Sequence, residues 1–158
     1  MVFKILSQNK NGTFCGTVNE SVLINSSTAD VWKIVGNFTG LGEWVEGVKK
    51  TESLSKVKNN FGAARKIYFA DGGHVIEYAV GWKDGEYLSY IATSGLPLQG
   101  YHATITVLPK RKNSLVEWSS FLISNDSDKK QFLEFLESMS SFYASSLVHL
   151  KEKLEKTK

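Results

Sequence analysis

The chain is poor in the residues that most often announce chemistry: one cysteine, two prolines and three histidines among 158 residues. The single cysteine, Cys15, excludes an intrachain disulfide and fits a reducing compartment. No histidine or basic cluster stands near it in sequence, so a small buried hydrophobe describes it better than a nucleophile. His74, His102 and His149 are isolated, without the i,i+4 or Cys-partnered spacing that metal sites use, and neither metal nor cofactor is expected. Gly40-Leu41-Gly42 lacks the third glycine and the preceding strand of a dinucleotide loop, and there is no Gly-x-Ser-x-Gly elbow. Met1-Val2-Phe3-Lys4-Ile5-Leu6 is too short and too soon polar for a signal sequence, and no apolar run reaches membrane-spanning length. An excess of one charge is missing too: the net charge is +3, with lysines scattered among acids, which argues against a nucleic-acid partner. These absences predict a soluble, cytoplasmic protein, a monomer or homodimer, with no integral membrane association.

What remains is ordinary globular material, 42% hydrophobic and 22% charged. A chain of this length buries roughly two-thirds of its unfolded surface in one core. With no repeat, linker or low-complexity tract, residues 1–158 read as one domain. Phe14 to Ile24 alternates as a first strand, and Ser27 then caps a short helix carrying Val31, Trp32 and Val35, stopped at Gly36. Asn37 to Gly42 reads as a second short helical turn. From Trp44 to Ile123 the pattern is extended, broken at Asn59-Asn60, Asp71-Gly72-Gly73, Lys83-Asp84-Gly85, Ser94 to Gly100 and Lys110 to Asn113. Asp128 and Gln131 then form an N-cap pair ahead of a long amphipathic helix. Its apolar residues, from Phe132 through Leu136, Met139 and Tyr143 to Leu154, recur at steps of three and four. Strands segregated from helices predict an α+β fold: a curved antiparallel seven-stranded sheet wrapped around the C-terminal helix, with two short helices after the first strand.

Two charges stand inside the apolar alternation. Arg65 shares a strand face with Ile67 and Phe69, and Glu77 lies in the run Val75-Ile76-Glu77-Tyr78-Ala79, across the turn Asp71-Gly72-Gly73. A core-facing charge costs several kcal/mol, on the order of the penalties for buried ions, unless it is paired or wetted. A ligand cavity between sheet and helix would accommodate both residues. So would a cross-strand ion pair that fixes register, or exposure on the outer face of the sheet.

At these residues the chain resembles a family. Trp44-Val45-Glu46-Gly47-Val48, Gly62-x-x-Arg65 and Gly73-x-x-x-Glu77 look like the polyketide cyclase/dehydratase and lipid-transport group. So do Leu96-Pro97-x-x-x-Tyr101-x-Ala103 and Glu117-Trp118 running on to Phe121. This group belongs to the helix-grip, START-like superfamily (SRPBCC), with the pollen allergens and plant hormone receptors. The resemblance runs from about Val18 to Leu154 through dispersed positions, with Val45-Glu46 where relatives often carry His-Pro. It implies a hydrophobic cavity lined from one side by Arg65, Ile67, Phe69, Glu77, Tyr90, Ala92, Leu98, Tyr101, Ala103 and Ile105. Met139, Phe142, Ser146 and Leu150 would line it from the helix, with Trp118 on whichever face its strand assigns. Lys49 matches the position where the hormone receptors hold a ligand carboxylate.

Three functions follow from this reading. The first is binding, transport or sensing of a hydrophobic small molecule, such as a lipid, polyketide or isoprenoid, possessed of an acidic or carbonyl group that Arg65 would read. The second is a cyclase/dehydratase-like enzyme using Glu77 as acid or base and Arg65 to stabilise an enolate or carboxylate. The third is a protein-interaction module with a filled core, in which Met139 and Phe142 simply pack.

Overall fold

The computed structural model describes residues 2–156. Two strands come first, β1 (Phe3–Gln8) and β2 (Phe14–Ile24), followed by helix α1 (Thr28–Val35) and a 3-10 turn at Leu41–Glu43. Six strands then run in succession: β3 (Val48–Ser53), β4 (Ala64–Phe69), β5 (His74–Lys83), β6 (Tyr87–Ser94), β7 (Leu98–Lys110) and β8 (Asn113–Ser124). Helix α2 (Lys129–Lys156) closes the chain. The strands form a single antiparallel sheet in the order β1-β2-β8-β7-β6-β5-β4-β3. The breaks foreseen between Asn59 and Asn113 fall at strand ends, because glycine, asparagine and aspartate there meet turn geometry that strand residues avoid, except that Ser94 to Gly100 is shorter than expected: β7 already begins at Leu98.

The sheet has eight strands rather than seven. The extra one is β1, which pairs with β2 along the edge and lays Phe3 and Ile5 against the core. Its alternation covers only those two positions before the chain turns polar, too short a pattern to stand out from an irregular N-terminus. The second short helix is reduced to the three-residue 3-10 turn, since Gly40 precedes it and Gly42 is its middle residue, which disfavours a longer α-helix. Both helical pieces follow the second strand, not the first.

Helix α2 is seated by its stripe. Phe132, Leu136, Tyr143, Leu147, Leu150 and Leu154 are buried against the sheet, and Asp128 Oδ1 accepts the Gln131 N–H at 3.0 Å to start the helix. The helix comes closest at β2, where Gly16 makes room: a Cβ there would lie 2.9 Å from Leu136 Cδ1. Inward residues alternate along every central strand, including Val18 on β2, Trp118 and Leu122 on β8, Ala103 and Ile105 on β7, Tyr90 on β6 and Ala79 on β5. Among the described residues, no helix is long and apolar enough to cross a membrane.

Candidate functional site

The β4–β5 hairpin sets Arg65 directly opposite Glu77. Both side chains turn inward and are nearly sealed, with 3% and 7% of their side-chain surface exposed. Glu77 Oε1 accepts from Arg65 Nε at 2.9 Å and from Nη2 at 2.7 Å. Nη1 donates to the carbonyl of Phe38 at 2.8 Å, and the guanidinium lies 3.8 Å from the Phe38 ring centroid and 5.0 Å from that of Tyr90. Phe38 is held in turn by its own N–H, which donates to Asn59 Oδ1 at 2.9 Å. The pair is therefore a cross-strand ion pair, and it is also buried in the interior.

Beyond the pair stands a chain of hydroxyls. Trp118 Nε1 donates to the Tyr90 hydroxyl at 2.9 Å, Tyr90 and Tyr101 hydroxyls lie 3.5 Å apart, and Tyr101 shares a short hydrogen bond with Tyr143. The Tyr143 ring stacks on Trp118 with centroids 3.9 Å apart, which fixes the face that Trp118 occupies. Burial pushes the Glu77 carboxyl above its ordinary range, and the Arg65 charge beside it pulls the other way. Burial also drives Tyr90, Tyr101 and Tyr143 upward, so all three stay protonated at neutral pH.

Arg65, Glu77, Tyr90, Tyr101 and Trp118 line a small inner cavity of about 50 Å³ between α2 and the sheet. Of the residues singled out from sequence, Arg65, Ile67, Phe69, Glu77, Tyr90, Tyr101, Trp118, Met139 and Phe142 meet there. Leu41, Val45, Val75 and Leu96 complete the wall. Val75 was legible as the residue two before Glu77 on the same face, and Leu96 as an apolar residue on a loop. Leu41 and Val45 come from the 3-10 turn region, where no period marks them. A wider groove of about 600 Å³ adjoins the cavity, bounded by the β4–β5 turn, Gly95 and Leu96 of the β6–β7 turn, and Phe135 to Phe142 of α2. Phe69, Val75, Leu96, Met139 and Phe142 line both spaces, so they are the wall that the two share.

The remaining residues lie elsewhere. Lys49 is exposed on β3, the edge strand, at the register shift between Val48 and Lys50. Leu98 lies beside Pro97 in a separate groove with Phe132 and Phe135, displaced by the bulge between Leu98 and Gly100. Ala92 lines a separate small pocket of about 60 Å³ with Leu98. Ala103, Ile105 and Leu150 are packed in the core. Ser146 is buried and accepts the Glu46 N–H at 3.0 Å, which ties the segment after the 3-10 turn to α2. Among the described residues, no three His, Cys, Asp or Glu side chains gather as a metal site requires.

A long helix laid over an antiparallel sheet, with a cavity between them, defines a helix-grip protein. More narrowly, the chain belongs to the polyketide cyclase / dehydrase and lipid transport family, whose model matches residues 16–155. It is similar to the protein XoxI from Bacillus cereus: 26% identity, 89% of this chain and 96% of that one covered, TM-score 0.76. A solution structure from Thermobifida fusca is 22% identical, with 90% and 95% of the two chains covered and a TM-score of 0.77. Norcoclaurine synthase from Thalictrum flavum, solved with dopamine and hydroxybenzaldehyde, is 16% identical over 98% of each chain, TM-score 0.70. The latter two share the fold. No curated protein is similar enough to the chain to count as a match.

Proposed function

We propose that the chain binds a hydrophobic small molecule of lipid, polyketide or isoprenoid type between α2 and the sheet, as a carrier or sensor. One observation carries this reading: the inner cavity with its few polar groups adjoins a larger groove through a shared apolar wall of Phe69, Val75, Leu96, Met139 and Phe142. A filled interaction core would need no such groove beside a polar cavity. The ligand's body would lie in the groove, and Met139 and Phe142 would contact it as it enters. Equilibrium binding of Nile red, a neutral apolar dye, tests the proposal. Met139→Trp, which crowds that shared wall at a half-buried position, should weaken dye binding by about tenfold or more with little change in thermal midpoint (about 1.4 kcal/mol in affinity). Undiminished binding would place the dye outside this site and remove the proposal's support.

A second reading is favoured by a different observation. Glu77, with its carboxyl raised by burial, stands in the cavity beside the tyrosine hydroxyls, a set suited to acid–base work of the cyclase/dehydratase kind. The adjoining Arg65 would offer charge stabilisation there. Turnover of a bound polyketide-like compound, lost in Glu77→Gln while binding persists, would move the proposal from carrier to enzyme.

A further inference from the structure

Glu77 keeps an acceptor in the cavity that no described residue uses, and the donors around it are only partly engaged. Arg65 commits Nε and Nη2 to Glu77 and Nη1 to Phe38, and the rings of Phe38 and Tyr90 flank its faces. Trp118 gives its single N–H to Tyr90, and the three tyrosine hydroxyls are joined by two hydrogen bonds, which leaves one O–H over. Glu77 offers one oxygen to both guanidinium nitrogens, and no hydrogen bond from a described residue reaches Oε2. The side chain retains 7% exposure and lines the cavity, so this acceptor is open to whatever enters.

We infer that the ligand presents a neutral hydroxyl, of an alcohol or phenol, to Glu77 Oε2, and that carboxylates of the same shape are rejected. The inference rests on the small-molecule binding proposed above and names the chemistry of its inner end. A hydroxyl donates to that free carboxylate oxygen. An ether or hydrocarbon leaves the buried carboxylate oxygen without a partner, and a carboxylate sets a second negative charge beside it. Arg65 does not rescue an acidic ligand, because most of its donors are already engaged and its charge is already balanced by Glu77. Size agrees with this division: about 50 Å³ admits a small polar end, and the apolar body remains in the groove of about 600 Å³.

Three compounds of matched length separate the outcomes: decan-1-ol, 1-methoxynonane and decanoate, each titrated against the Nile red complex of the whole chain. The alcohol should displace the dye at concentrations about tenfold or more below those of the ether and the carboxylate, the discrimination expected for a buried polar group left unpaired. Glu77→Gln risks leaving Arg65 without a counter-charge, so the double variant Arg65→Met/Glu77→Leu serves as control and should lose the preference for alcohol over ether. Equal displacement by all three, or tighter binding of decanoate, overturns the inference while leaving the small-molecule reading intact. Dye binding that none of the three displaces overturns it as well. Failure of the dye itself to bind removes both.

Discussion

Replacing Glu77 by leucine would strand a guanidinium that has no neutral form to retreat to, inside a wall where only 3% of its side chain meets solvent. Removing one partner of such a pair costs about 3–5 kcal/mol, and Glu77→Leu should lie at the upper end. Arg65→Met is the milder change. The orphaned Glu77 can take up a proton, and burial already holds its pKa above the ordinary 4.5. What remains is the Phe38 carbonyl, which loses its Nη1 donor, a loss of about 1–3 kcal/mol. The double variant Arg65→Met/Glu77→Leu removes both charges and should be destabilised by about 1–3 kcal/mol, the Phe38 carbonyl's loss, because apolar replacement of a buried pair is otherwise often neutral. Urea unfolding followed by circular dichroism, with the slope checked for constancy, measures all three. The double variant should fall short of the summed single losses by more than about 3 kcal/mol. Additivity within about 0.5 kcal/mol would refute the argument, since it would mean that the two groups do not act as a pair. Linkage supplies an independent check. A carboxyl whose folded pKa is raised binds its proton more tightly in the folded state, so its favourable contribution is complete below 4.5 and is lost as pH rises through the folded value. Arg65→Met, without the charge that opposes this shift, should therefore lose stability more steeply than the parent as pH climbs from acid to neutral.

Two further predictions test the surroundings of the pair. Tyr90, Tyr101 and Tyr143 all have folded pKa values raised by burial, so above pH 10 the unfolded chain releases protons that the folded chain keeps, and stability falls with pH. The expected slope reaches about 4 kcal/mol per pH unit for the three groups together, and their phenolate absorbance should appear only as the circular dichroism signal is lost. Phenolate absorbance from all six tyrosines in a still-folded chain would contradict the buried hydroxyl chain. Gly95 holds φ at +97°, and a Cβ there would fall 2.0 Å from the His74 carbonyl oxygen. Gly95→Ala should cost about 1–3 kcal/mol in urea unfolding and weaken Nile red binding, because the β4–β5 and β6–β7 turns that it presses together both border the groove. Unchanged stability would show that the two turns part without strain.

Local chemistry written along the chain determined most of the architecture. The turn clusters punctuate six successive strands, Ser27 and Asp128 cap their helices, and the three-and-four spacing from Phe132 to Leu154 lays α2 on the sheet. Strand alternation also set Arg65 and Glu77 on one face with Ile67 and Val75, because a period of two depends only on neighbours in sequence. Other matters depended on partners distant along the chain. β1 is a strand because β2 offers it an edge, and Trp118 faces inward because β2 and β7 fix its register and Tyr143 stacks on it. Lys49 and Leu98 left the cavity for the same reason, one on an edge strand and the other behind a bulge. The division of labour within the ion pair was least legible of all. It took the Phe38 carbonyl, brought in from the segment after α1, to occupy the third nitrogen of Arg65, and the side-on geometry of the hairpin to leave Glu77 Oε2 free. A side chain's spare hydrogen-bonding capacity is what its three-dimensional neighbours leave over, and no periodicity in the chain encodes it.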